Sequence, residues 1–558
     1  MIFSADFETT TRLDDCRVWL WSACDVNRNP TIYNYGETIE TFCEWCANQP
    51  SSIVYFHNAK FDTDFIMCHL FKAGFSHIQD AKQLDKKTFT TLISDDGKFY
   101  SLEICWSTGY RTVIRDSQKL LNMSVERIAK TFALAESKLE IDYDAYRPKG
   151  HKATQEEIEY IKADITIVAK ALDKLFSANT DRLTIGSCAL HNYMGMLGGK
   201  KPFRKIFPIL PVAVDTFCRK AYRGGYVYAN PAHRGKDVGK GYVYDVNSLY
   251  PWAMHSPNLL PYGRAVYYKG KYTKDDVHPL YIQRINACFD IKDGYFPTIQ
   301  MKNNSAFVQT EYVTSTNGEA VTLTLTSVDL ELFLDHYEVH EIEYIDGFMF
   351  RAKAGMFDDY IDYWTEVKIK AGKEGNSGMR AIAKLYLNSL YGKFATRPTV
   401  RSAIPYLHDS GKIAYNKTEY QERETVYSPV GIFITAIARN KTIRSAQQNY
   451  DKVAYIDTDS MHIVTEAAPT NIDIDQYALG AWKLENTFKR ARFVRAKTYI
   501  EDIDGAGISV TCAGLPARCH EQVTWENFNS GAIYSGKLSP KHVPGGTVLV
   551  ETTFEIKI

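Results

Sequence analysis

Asp6 and Glu8 stand two apart in the strand-like run Met1-Ile-Phe-Ser-Ala-Asp6-Phe-Glu8, so both carboxylates project from one face. Two acids held there repel each other, and a divalent cation is the usual reason for such a pair. Asp62, in Asn58-Ala-Lys-Phe61-Asp62, follows a buried-looking strand over 53–56, and Tyr160 and Asp164 lie four apart on one helix face. Phosphodiester hydrolysis by two metal ions about 4 Å apart needs several converging carboxylates and a group to orient the attacking water. Asp6, Glu8, Asp62 and Asp164 supply the first, and Tyr160 the second. A separate set lies downstream. Asp245 ends a strand-like run over 241–245, before a turn at Ser248-Leu-Tyr250-Pro251 whose backbone N–H groups and hydroxyl suit a triphosphate. Asp457 and Asp459 sit at the bend of a hairpin between 452–455 and 461–464. Together these acids make a nucleotidyl-transfer site in which one ion activates a 3′-OH and the other holds the triphosphate. Each piece alone has a plain structural explanation, a surface strand or a turn that favours Asp; the argument rests on their combination.

These residues need elements to hold them. Thr154-Gln-Glu-Glu157 is a capping box, followed at helical spacing by Ile158, Ile161, Ile165 and Val168, so Tyr160 and Asp164 ride on a well-signalled helix. Strand-like runs at 53–56, 88–93 and 111–114 alternate with helix-like ones and predict an α/β domain in the first third. A Gly/Pro-punctuated stretch near 195–211 predicts a domain boundary. A helix over 377–394 sets Arg380, Lys384, Asn388 and Tyr391 within an arc of about 80°, opposite Met379, Ile382, Leu385, Tyr386 and Leu390. A polar face with two cations, an amide and a ring, and no acid, suits an incoming nucleotide; a solvated basic helix is the plain alternative.

At roughly 150 residues per domain, 558 residues predict three or four domains or subdomains. The 66 basic and 66 acidic residues cancel, which excludes a global basic signature but not local tracks. Two are visible: Lys489, Arg490, Arg492, Arg495 and Lys497, and Lys200, Lys201, Arg204, Lys205, Arg219, Lys220 and Arg223. Either is a phosphate contact or a solvated face. Eleven scattered cysteines, with one isolated Cys43-Glu-Trp-Cys46, predict a reduced cytoplasmic protein without structural zinc. Neither a charged-then-apolar leader nor an 18-residue apolar stretch is seen, so neither export nor a membrane span is expected.

The motifs match a known pattern in one order along nearly the whole chain. Asp6-x-Glu8, Asn58-x-x-Phe61-Asp62 and Tyr160-x-x-x-Asp164 resemble the exonuclease motifs of proofreading DNA polymerases. Asp245-x-x-Ser-Leu-Tyr-Pro, Lys384-x-x-x-Asn388-Ser-x-Tyr391-Gly and Tyr455-x-Asp457-Thr-Asp459-Ser resemble motifs A, B and C of family B DNA polymerases. With Tyr222-Arg-Gly-Gly225, Thr435-Ala-Ile-Ala-Arg439, Lys497-Thr-Tyr499, Cys512-Ala-Gly514 and an insertion of about 100 residues, the chain looks like the protein-primed branch, the phi-29-type phage replicases.

The resemblance implies an α/β and α+β multidomain chain, with an RNase-H-like exonuclease followed by a right-hand polymerase. The expected ranges are exonuclease 1–185, palm 186–256 and 428–512, terminal-protein regions 257–358 and 396–427, fingers 359–395 and thumb 513–558. It implies two Mg²⁺ or Mn²⁺ ions per site, held by Asp6, Glu8, Asp62 and Asp164 and by Asp245, the Val246 backbone, Asp457 and Asp459. Lys138 assists the exonuclease, while Thr9, Asn58, Phe61 and Ser117 hold the frayed primer end. Ser248, Leu249, Tyr250, Arg380, Lys384, Asn388 and Tyr391 bind the nucleotide, with Tyr250 excluding a ribose 2′-OH. Tyr222, Gly224, Gly225, Thr435, Arg439, Lys497 and Tyr499 contact DNA. Expected partners are primer–template DNA, deoxynucleotides and a terminal priming protein, in a monomer or a heterodimer with that protein, in the cytoplasm of an infected bacterium. The segment 501–509 is shorter than the pattern calls for. A DNA-binding nuclease, a packaging or recombination scaffold and an RNA-synthesising enzyme are the rival readings.

Overall fold

The computed structural model describes residues 1–143, 145–300, 312–469 and 471–557. Residues 301–311, part of the insertion expected at 257–358, lie outside the described residues. The chain builds two eight-stranded sheets. In the first, Ile2–Thr9 lies near the middle, antiparallel to Val18–Asp25 and parallel to Ser52–Phe56, which pairs in turn with Arg111–Asp116. Alternation puts Phe3, Ala5 and Phe7 on one buried face of the first of these strands, and Val54 and Phe56 are buried on its parallel neighbour. The Lys60–Lys72 helix follows Ser52–Phe56, and the Gln155–Ser177 helix packs against the first two strands.

The Gln155–Ser177 helix begins where the sequence says. Thr154 Oγ1 accepts from the Glu157 N–H at 3.2 Å, and Glu157 Oε2 accepts from the Thr154 N–H at 2.9 Å. Arg147 Nε donates to the same carboxylate at 2.9 Å, so the cap also ties down the loop before the helix.

The second sheet runs in the order 507–512, 498–503, 482–495, 241–246, 460–464, 453–457, 227–229. Thr498–Ile503 and Gly507–Cys512 pair across residues 504–506, so the short 501–509 segment is a tight hairpin at the sheet's edge. The Ser377–Phe394 helix has the bounds read from the sequence, capped by Asn376, whose side chain accepts from the Met379 N–H. Ile382, Tyr386 and Leu390 are buried while Arg380, Lys384 and Asn388 are exposed.

The 195–211 stretch separates the sheets but does not divide the core. Tyr55, Leu120 and Leu172 from the first third share one apolar cluster with Tyr193, Phe207, Tyr386 and Phe433. A four-stranded antiparallel sheet with the Ser327–His336 helix forms the unit around 260–353, capped by Thr326 at its helix start. The smaller segment 396–427 forms hairpins, and its Ala403 and Ile413 join the core of the first sheet. The C-terminal hairpin, Ile533–Val543 with Gly546–Glu555, turns at Pro544-Gly545.

Candidate active sites

The first acidic cluster forms on the first sheet. Strand alternation carries Asp6 and Glu8 to one face, and Glu8, Asp62 and Asp164 are 7%, 4% and 4% exposed. Burial and then the charge of Asp164 push Asp6 up to about 7. Burial, Asp6 and Asp164 push Glu8 well up, and burial, then Asp6 and Glu8, do the same to Asp62. Burial raises Asp164 as well, against the pull of Lys138, whose Nζ lies 3.2 Å from Asp164 Oδ2. The four acids therefore act on one another, as the sequence requires of a shared site. Burial, the hydrogen bond with the Tyr143 hydroxyl and nearby acids raise the Tyr160 phenol, so it stays neutral. Asn58 takes a left-handed backbone, φ 68°, and its N–H donates to Asp116 Oδ1 at 3.0 Å. That loop presents an exposed Asn58 and a half-buried Phe61, while Thr9 follows a register shift at Glu8. Ser117 lies beneath that loop. It is fully buried, donates to the Phe56 carbonyl at 3.0 Å and meets His57 Nδ1 at 3.0 Å, so it holds the loop from beneath.

The second cluster lies at the middle of the second sheet. Asp245 pairs in register with Ser460 on one side and Lys483 on the other. The Val246 N–H donates to the Asp459 carbonyl at 2.8 Å, joining the two acidic segments directly. Thr458 makes the bend with φ 60°; its N–H donates to the Tyr226 carbonyl at 2.7 Å and its carbonyl accepts from Thr442 Oγ1 at 2.8 Å. Burial and then Asp245 raise Asp459 to about 6, and burial raises Asp245 against Lys483. Lys483 Nζ stands 3.2 Å from Asp245 Oδ2, and Lys497 Nζ 3.1 Å from Asp457 Oδ1.

The next turn carries the residues expected to meet a nucleotide. Ser248 (φ 53°) opens the short Leu249–Met254 helix, and Tyr250 stacks on Tyr391 with ring centres 4.1 Å apart and an interplanar angle of 18°. Leu249 is buried, so only its backbone can serve a ligand. Sequence reasoning missed two cations here. Burial lowers Lys368, and the nearby charges of Arg380, Lys384 and Lys483 lower it further. Lys483 carried a signal only in its strand register, which no motif reveals.

Several expected DNA contacts are internal. Thr435 is buried, its hydroxyl bonded to the Gly431 and Ile432 carbonyls. Arg439 is 6% exposed; its Nη2 donates to both Asp329 carboxylate oxygens, at 2.7 and 2.9 Å, while Nη1 donates to the Arg223 and Gly224 carbonyls. It shapes the Tyr222–Gly225 link. Gly225 is needed because a Cβ there would stand 2.4 Å from Thr458 Oγ1; Gly224 is open and Tyr222 half-buried. Tyr499 packs among Tyr455, His462 and Phe493, leaving Lys497 exposed beside it. The basic tracks thin out likewise: Arg492 pairs with Asp237, Arg490 lies over Trp525, Arg495 is buried, Arg204 pairs with Glu424 and Arg219 with Asp215.

Among the described residues no group of three His, Cys, Asp or Glu side chains closes around a single point as a self-sufficient chelate would. The donor set still fits magnesium, which keeps several waters and is commonly held by one or two carboxylates plus substrate phosphates. Buried acids that raise one another are the sites a divalent ion relieves.

The model of organellar and viral type B DNA polymerases matches residues 44–155 and 140–476. The chain belongs to that family. The DNA polymerases of Bacillus phage Nf and Bacillus phage phi29 are 45% and 42% identical to it, each over 100% of this chain and 99% of the relative. That of Streptococcus phage Cp-1 is 33% identical over 100% of this chain and 98% of the relative. The crystal structure of phi29 DNA polymerase superposes with a TM-score of 0.94 at 42% identity, covering 100% of both chains. A phi29 polymerase complex with primer–template DNA and incoming nucleotides gives 0.93 at 41% identity, again over 100% of both. This chain is thus a phage-type DNA polymerase with the phi29 architecture.

Acids that repel when folded couple this polymerase's stability to pH and metal. Asp6 rises to about 7 from an ordinary 3.8, and Glu8 and Asp62 also rise. A raised carboxyl contributes stability that is complete below its unfolded value and is lost as pH climbs through the folded one. Metal-free protein should therefore lose melting temperature on this account as the buffer moves from about pH 4 to about pH 8. Magnesium, binding the folded form, should restore more at the upper end. Scanning fluorimetry with EDTA or MgCl₂ across that range checks it; a magnesium effect equally large at low pH would contradict it.

Proposed function

We propose that this polymerase replicates a phage genome from a protein primer, displacing the non-template strand processively and proofreading with its own 3′→5′ exonuclease. The observation carrying this is the presence in one chain of two clusters of mutually repelling acids, one on each sheet, each beside the groups its chemistry requires. In this reading residues 1–185 are the exonuclease, 186–256 and 428–512 the palm, 359–395 the fingers and 513–558 the thumb. The segments 257–358 and 396–427 receive the terminal protein and flank the DNA, and the protein works in the host cytoplasm, alone or joined to its primer. The phi29 complexes support primer–template DNA and nucleotides as ligands. No described helix is long and apolar enough to cross a membrane.

Divalent ions, when bound, would supply charge neutralisation and polarise the reacting oxygens. Asp245, the Val246 carbonyl, Asp457 and Asp459 would hold them at synthesis, and Asp6, Glu8, Asp62 and Asp164 at hydrolysis. The chain does the rest. Lys384, Arg380 and Lys368 receive the triphosphate, and the Tyr250–Tyr391 stack forms the floor on which the nucleotide sugar rests. At hydrolysis Tyr160 and Lys138 orient water against the scissile phosphate, while Asn58, Phe61 and Thr9 grip a single-stranded end. Incubating the polymerase with a candidate terminal protein, magnesium and labelled dNTPs, without any nucleic-acid primer, tests the branch; a terminal protein that never acquires label would overturn protein priming.

The stack also sets sugar choice. Tyr250→Val removes the ring that meets the ribose 2′ position, and the variant should accept ribonucleotides at least about tenfold more readily relative to dNTPs, as losing one steric contact permits. The ratio of kcat/KM for the two sugars measures it, and an unchanged ratio would move the gate elsewhere.

A further inference from the structure

Asp64 lies two residues beyond Asp62 on the Lys60–Lys72 helix, about 200° further round it. It is 2% exposed, and a carboxylate so buried needs partners. They come from two hairpins far along the chain. The Tyr415 hydroxyl donates to Asp64 Oδ1 at 2.7 Å from the Ile413–Lys417 strand. Thr547 Oγ1 donates to Oδ2 at 2.6 Å from the C-terminal hairpin. His542 Nδ1 lies 3.2 Å from the same oxygen and 2.9 Å from Thr547 Oγ1.

The backbone of the hairpin tip is fitted to this contact. A Cβ at Gly545 would stand 2.4 Å from the Cys16 carbonyl oxygen, and one at Gly546 2.5 Å from the Phe65 ring. The hairpin's other end is rooted at the edge of the second sheet, where Ile500, Cys512, Trp525, Phe528 and Phe554 share a core. Strands of 11 and 10 residues span roughly 35 Å at about 3.4 Å per residue, bridging the second sheet to the first. The sheets are also joined through their shared core, so the path from one to the other and back is a closed circuit. The 403–417 hairpin is held to the first sheet by apolar Ala403 and Ile413, whereas the tip of the C-terminal hairpin meets that sheet through glycines and the bonds to Asp64.

We infer that Asp64 is the clasp of this circuit, and that nucleic acid held within it is released sideways only when the Asp64–Thr547 contact opens. The inference rests on the proposed reading of 513–558 as the thumb and of 396–427 as flanking the DNA, which would place primer–template DNA inside this circuit. It assigns Asp64, Tyr415, His542 and Thr547 a part in retention, with none in bond formation.

The test is extension of a long primed single-stranded template with heparin added together with dNTPs, so that each product reports one binding event. Asp64→Ala and Thr547→Val should shorten the products several-fold, with Asp64→Asn falling between them and wild type. The rate of adding a single nucleotide should stay within about twofold, since neither acidic cluster is touched. Because Thr547→Val keeps the β-branched shape and removes the hydroxyl donor, it reads the clasp even if Asp64→Ala folds poorly. Products of wild-type length from Asp64→Ala and Thr547→Val would overturn the clasp, as would single-nucleotide addition falling in step with product length. Absence of extension by the wild type would instead strike at the placing of DNA on which the clasp depends.

Discussion

Asp459→Ala should abolish primer extension while leaving degradation of single-stranded 3′ ends within about twofold of wild type. Asp459 is raised to about 6 by burial and by Asp245, so it is an acid whose ionised state needs a cation nearby. Its backbone carbonyl receives the Val246 N–H at 2.8 Å, and Thr458 beside it is tied to Tyr226 and Thr442, so the hairpin stays in place when the side chain is lost. The effect is therefore confined to chemistry. Removing groups that merely support a metal ligand costs about 10–100-fold in affinity or activity, so removing the ligand should exceed that range. Asp245→Asn is the companion test. It keeps the shape and loses the charge, and it frees Lys483 from its 3.2 Å ion pair. Extension by either variant within about tenfold of wild type, in saturating magnesium, would remove these acids from the metal site.

How much of this was legible in the sequence follows from which forces are local. Acid spacing on a strand, the Thr154–Glu157 cap and the 377–394 helix depend on periodicity and neighbouring backbone, and all stand where the sequence puts them. Burial is set by elements far along the chain, and motifs do not reveal it. Ser117 and Arg439 are buried, with polar atoms bonded to Phe56 and Asp329, 61 and 110 residues away in the chain. The same long-range effect joined the two sheets in one core across a stretch whose glycines and prolines suggest a division. It also gave Asp245 a lysine partner visible only in strand register, and turned arginines of both basic tracks inward to acids. Opposite charges close in space cancel in any count, so the even charge balance concealed these pairs.

Asp6→Ala combined with Glu8→Ala should reduce hydrolysis of single-stranded 3′ ends beyond the ~10–100-fold expected from loss of a supporting group, with matched-primer synthesis retained. The two sites stand on different sheets and share no side chain among those assigned, so the substitutions should not reach Asp245 or Asp459. They should also relax the remaining cluster. Asp62 is raised by burial, then by Asp6 and Glu8, so without them its carboxyl should titrate nearer the ordinary range. A structural role for the pair predicts otherwise, since deleting buried ligands that served only packing would lower stability and both activities together. Here removal of two mutually repelling acids should raise the melting temperature of metal-free protein near pH 8 while exonuclease activity disappears, a combination that packing loss does not produce. Quench-flow measurements on a labelled single strand, beside extension of a matched primer and melting in EDTA, separate the two. Loss of synthesis in step with hydrolysis would mean that the clusters are not independent, and the two-site reading would fall.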